Sequence, residues 1–104
     1  MHSWPSQTPV TIPRQSRGCQ TVITHTALDA LTKRDLAAII PTILARHELG
    51  DWGDLDPEDR AQNDLALEQG ERLLSAYEIR DDLKVWVITE RDRSVTTILL
   101  PEEY

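Results

Sequence analysis

His47 is the residue best suited to chemistry at neutral pH, because imidazole titrates there and can serve as a general acid or base. It closes a helical face made by Leu36, Ile40, Ile43 and Leu44, so a second reading is a partly buried ring bonded to a nearby carbonyl or carboxylate. Asp51 follows within four residues and could orient the ring. Arg72, Glu90 and Thr96 occupy later strand positions. If they converge with His47 on one sheet face, a guanidinium and a hydroxyl would stand beside an imidazole, a set able to stabilise a phosphoryl transition state without a metal. His47, Arg72 and Thr96 are then the catalytic residues. No motif commits the chain to catalysis.

The other notable stretch is HELGDWGDLDPEDRAQND, His47 to Asp64. Asp51, Asp54, Asp56, Glu58 and Asp59 crowd it with carboxylates around Trp52. Calcium loops alternate oxygen ligands about a turn glycine and finish on a glutamate, and this spacing differs, so no metal site is expected. Asp56 before Pro57 reads as a helix cap, with Glu58 and Asp59 at the positive end of the helix dipole. Trp52 is either a plug over the core or an anchor for a partner. Together Asp51, Trp52, Asp54, Asp56, Glu58 and Asp59 form a candidate partner-binding rim, which we rank ahead of His47 as a functional feature.

The totals narrow the classes. The chain has 104 residues and a formal charge of −7, enough for one domain with a modest core. An acidic protein is poorly suited to grip a nucleic-acid backbone, whose affinity comes from Lys and Arg neutralising phosphates. It suits a basic protein surface instead. The lone Cys19 makes no internal disulfide, and no Cys/His spacing fits structural zinc. No cofactor motif is present, and no apolar run approaches the length of a membrane span. With no signal-peptide pattern at the start, a cytoplasmic location is expected.

Elements to position these residues follow from local signals. Residues 1–20, with Pro5, Pro9 and Pro13, read as a flexible tail, and 21–104 as a single domain. QTVITH (20–25) has strand character, and Thr26 can cap a short turn over Ala27–Leu31. Thr32 and Asp35 form a capping-box-like start. Pro41 either kinks the helix that follows or begins a second segment, and Gly50 ends it. The helix opened by Asp56-Pro57 runs to about Glu68, and its thin apolar side (Ala61, Leu65) places it on the surface of a sheet. From Glu71 the period becomes two, giving strands near 73–79, 83–89 and 95–100 joined by polar turns. The fold class is α+β: N-terminal helices packed on a three- to four-stranded antiparallel β-meander.

Several motifs in fixed order resemble a family of small plasmid-related proteins carried by plasmids, phages and integrative elements. The shared residues are His47, Gly50-Asp51-Trp52-Gly53, Asn63-Asp64, Arg72-Leu73-Leu74-Ser75 and Tyr77. They continue through Trp86, Ile88-Thr89-Glu90, Asp92-Arg93-Ser94, Thr96-Thr97, Leu100-Pro101 and Tyr104. The resemblance implies a mobile-element setting and supplies no catalytic residues. The expected function is therefore an acidic anti-defence inhibitor, anti-CRISPR-like in kind, that binds a basic nucleic-acid-binding surface of host machinery. The alternatives are a metal-independent RNase or toxin of barnase- or RelE-like architecture using His47, Arg72 and Thr96, and a structural subunit of a plasmid complex.

Overall fold

Thr32 and Asp35 cap each other's backbone: Thr32 N–H donates to Asp35 Oδ2 at 2.9 Å and Asp35 N–H to Thr32 Oγ1 at 3.0 Å. The turn so started, Asp35–Ile39, is π-helical, with the Ile40 N–H reaching back to the Asp35 carbonyl. α2 (Ile40–Glu48) follows without a break in helical backbone, so Pro41 lies within one continuous helical run from residue 33 to 48, just after the wider π turn. The computed structural model describes residues 10–12 and 20–104.

The remaining elements are β1 (Val10–Ile12), β2 (Gln20–Ile23), α1 (His25–Ala30), α3 (Pro57–Gln69), β3 (Leu73–Arg80), β4 (Leu83–Thr89), β5 (Val95–Leu99) and a closing 3-10 turn (Pro101–Glu103). The fold is α+β, and β3, β4 and β5 form the expected antiparallel meander. Two features exceed the sequence reading. β2 pairs parallel with β5, which makes the sheet mixed, and β1 adds a fifth strand antiparallel to β2. β1 falls inside the segment read as a tail; residues 1–9 and 13–19 of that segment lie outside the described residues. The cap of α1 is Thr24 rather than Thr26: its side chain accepts from Ala27 N–H at 3.2 Å.

One sheet face carries Ile23, Tyr77, Val85, Val87 and Ile98, and these pack on Ala27, Leu31, Ile40, Ile43 and Leu44 of the helical layer. Burying such side chains is the main source of stability. Asp35, itself buried, accepts from Arg80 Nη2 at 2.5 Å and so ties the π turn to the far end of β3. No helix among the described residues is long and apolar enough to cross a membrane.

α3 does not lie on the sheet face. It stands beside β3, an edge strand of the sheet. The backbone groups of Leu74 and Ala76 that point away from β4 are met, and so is the Glu78 N–H. Asn63, the one buried residue of α3, bonds both the N–H and the C=O of Leu74 through its amide. Ala76 exchanges bonds with Trp52 C=O (3.2 Å) and Asp54 N–H (2.7 Å), and Glu78 N–H donates to Asp54 Oδ2 at 2.9 Å. The loop at Gly53 therefore runs as a one-bridge parallel strand against Ala76. Unpaired edges invite association with other chains, and this one is closed.

Gly53 makes the closure possible. Its φ is +74°, and a Cβ there would collide with the Ala76 carbonyl and come within 2.7 Å of the Tyr77 ring. Gly53→Ala is expected to lower stability by about 2–4 kcal/mol, combining left-handed strain and overpacking. Asn63→Ala should lower it by about 1–3 kcal/mol by orphaning the Leu74 amide. Urea unfolding of both variants checks this, and the Asn63 variant should also self-associate more readily through the opened edge.

Candidate functional site

His47 reaches the sheet because α2 ends directly over it. The ring is 4% exposed. Nδ1 lies 2.5 Å from Ser75 Oγ on β3, and Nε2 lies 2.8 Å from Thr89 Oγ1 on β4. Thr89 Oγ1 is in turn 2.8 Å from Thr96 Oγ1 on β5. A neutral imidazole donates from one nitrogen and accepts at the other, and hydroxyls can take either part, so the chain is satisfiable in either tautomer. Trp52 closes the site with an edge-on contact, ring centroids 5.7 Å apart.

As a machine for catalysis this arrangement has a specific fault. Ser75 has no exposed surface, and both ring nitrogens of His47 are taken by buried hydroxyls, so neither has a face open to substrate. Thr96 does join His47, through Thr89. Arg72 does not. Leu73 and Thr89 are paired and inward, so their neighbours Arg72 and Glu90 project to the opposite side of the sheet. There Arg72 Nε sits 3.7 Å from Glu90 and its guanidinium lies over the Tyr104 ring at 5.3 Å. Tyr104 in turn meets Trp86 edge-on, centroids 5.2 Å apart. The convergence of Arg72 and Glu90 with His47 expected from sequence is thus replaced by two separate groups, one on each face.

The acidic rim divides in a similar way. Asp51 takes a two-pronged bond from Arg46 (2.7 and 3.3 Å) and one from Gly53 N–H. This pairing holds the Asp51 carboxyl below the usual carboxylate range and raises Arg46. Asp54 caps Glu78, and Asp56 caps α3 by accepting from Asp59 N–H at 2.9 Å. Trp52 is 4% exposed, a core plug, with its Nε1–H donating to Asp64 at 2.9 Å. Arg60 donates to the carbonyls of Leu55 and Gly53 and so braces the loop from α3. Of the six expected contact residues, Glu58 and Asp59 are exposed with side chains not used in these braces, whereas Trp52 is buried.

What the residue-by-residue reading missed is where the charge resides. Residues 48–68 hold eight carboxylates and one arginine, whereas the rest of the chain holds ten acids and ten bases. The whole net charge of −7 therefore equals that of one segment, the last residue of α2 with the loop and α3 that follow. Asp64 and Glu68 join the exposed set. So do the three most exposed large apolar side chains of the described residues, Leu49 (86%), Leu65 (52%) and Leu67 (52%). The tasks of Ser75, Thr89 and Asn63, all present in the motifs, are not assigned by the sequence reading. Their signals were polar residues at inward strand positions and an Asn in mid-helix, where it is disfavoured unless its amide is used.

The buried imidazole yields a stability test. His47→Ala should lower stability by about 2–4 kcal/mol, through the cavity and the unsatisfied hydroxyls of Ser75 and Thr89. Tyr77 supplies a pH test. Burial pushes its phenol above the usual range, opposed in part by the Ser75 hydroxyl, and the phenol donates to Asp51 C=O at 2.5 Å. A raised pKa in the folded state favours the fold below the ordinary value near 10 and is lost as pH climbs through the folded value. Alkaline unfolding should therefore set in above that pH, and Tyr77→Phe should remove the late step in the tyrosine absorbance titration.

Comparison with protein-family models, with curated proteins and with solved structures yields no match to this chain.

Proposed function

We propose that this protein is a non-enzymatic acidic inhibitor that occupies a basic nucleic-acid-binding surface of host machinery, an anti-defence, anti-CRISPR-like role in the life of a mobile element. The observation that carries it is the placement of the entire net charge on residues 48–68, presented by a loop and helix at the edge of the sheet. A segment that merely stabilised the fold would have its carboxylates paired. Here α3 buries only Asn63 and leaves Glu58, Asp59 and Glu68 exposed, whereas Asp64 is held by the Trp52 indole N–H. Such a surface attracts cationic clefts over a Debye length of ~10 Å and competes with phosphates for them. The mobile-element setting rests on the motif resemblance.

The RNase reading is the weaker one. A general base must come within hydrogen-bond reach of its proton, and the buried His47 ring faces Ser75 and Thr89, with Arg72 across the sheet.

Affinity capture from host lysate, after nuclease treatment to remove nucleic-acid bridges, is expected to yield a basic nucleic-acid-binding protein in a stoichiometric complex. Heparin should displace it, and salt of about 0.5 M should weaken it strongly. Reversing Glu58, Asp59 and Glu68 to Lys should abolish the complex without unfolding the protein. If purified protein instead cleaves RNA without metal, and His47→Ala that remains folded abolishes cleavage, the inhibitor reading is wrong.

A further inference from the structure

Gln62, Leu65, Ala66 and Gln69 recur at i, i+3, i+4 and i+7, one stripe of α3. With Glu71 and Arg72 as the opposite wall they line an open groove of about 370 Å³ at the edge of the sheet. The Arg72 guanidinium is engaged by Glu90 and by the Tyr104 ring. Leu65 forms part of the lining and is 52% exposed, on a helix that buries a single polar residue. Glu68 follows it by three positions and Glu58 precedes it by seven, so acids stand on both sides of an apolar spot along the same helix.

From this geometry we infer that the groove seats an apolar side chain of the basic partner, so that residues 48–68 select a basic amphipathic surface and not any polycation. The inference rests on the binding function proposed above and adds the chemistry of the partner. Charge decides among occupants. A second copy of this chain would bring two segments of the same net negative charge together, and an anionic lipid surface would repel them. A partner whose lysines or arginines flank a leucine-sized side chain meets Glu58 and Glu68 with its cations and packs that side chain against Leu65 and Ala66, beside the Asn63 that also lines the groove. Such an anchor excludes water at the centre of the contact while the charged rim guides approach.

The probes are a helical amphipathic peptide of lysine and leucine and an oligolysine of equal charge, each titrated against the full chain by fluorescence anisotropy at about 0.15 M and 0.5 M salt. The amphipathic peptide should bind tighter and lose less of its affinity than oligolysine at the higher salt. Leu65→Gln, which keeps a good helix former at an exposed site, should weaken the amphipathic peptide about tenfold and leave oligolysine unchanged. An unchanged melting curve for Leu65→Gln establishes that α3 is intact. If the two peptides bind alike, or Leu65→Gln changes neither, the groove inference is overturned while loss of both on reversing Glu58, Asp59 and Glu68 keeps the acidic-surface reading. If charge reversal changes neither peptide, the acidic-surface reading itself falls.

Discussion

One imidazole, bonded at both nitrogens, fixes how the helical layer sits on the sheet. His47 belongs to α2, and its partners belong to β3 and β4, with β5 reached through Thr89. Apolar packing alone tolerates small slides of a helix across a sheet. A buried polar chain does not, since any displacement would strand a donor or acceptor away from water. The position of the α2 terminus sets where the chain turns at Gly50, and that turn sets the line of the loop along β3. The placement of α3 therefore descends from a polar contact made at the end of the preceding helix.

The loop between the two helices is dense with carboxylates for more than one reason. Asp51 holds Arg46, which also lies over the Tyr77 ring at 4.8 Å, and Asp54 and Asp56 satisfy backbone donors at a strand edge and a helix start. These acids shape the ridge. The ones beyond them, on the helix, face water. Acidic residues close in sequence thus divide by task according to whether a backbone N–H or a guanidinium lies within reach.

Local chemistry made much of this legible in advance. The Thr32–Asp35 capping box, the Asp56-Pro57 start, the Gly50 and Gly70 stops and the period-two strands all depend on neighbours a few residues away, and each appears as read. Long-range pairings were not legible in the same way. Nothing near Gln20–Ile23 indicates that it lies parallel to Val95–Leu99, because that choice is made by packing across the whole sheet. The separation of Arg72 from His47 sits between these cases. Alternation already puts Arg72 and Leu73 on opposite faces, but only the pairing of Leu73 with Thr89 shows which face the imidazole shares. Trp52 as plug was legible from its size, and the role of Asn63 was hidden because its partners are backbone atoms eleven residues on.

The concentration of charge on residues 48–68 gives the molecule a polarity as a whole. Among the described residues the remainder carries ten acids and eight bases, close to balance, while one edge carries the larger excess. A particle built this way has its centre of negative charge displaced toward the α3 edge. In the field of a cationic surface it experiences a torque before contact and turns its α3 edge forward. Rotational search, which normally reduces association rates well below the diffusion limit, is shortened without any contact having formed.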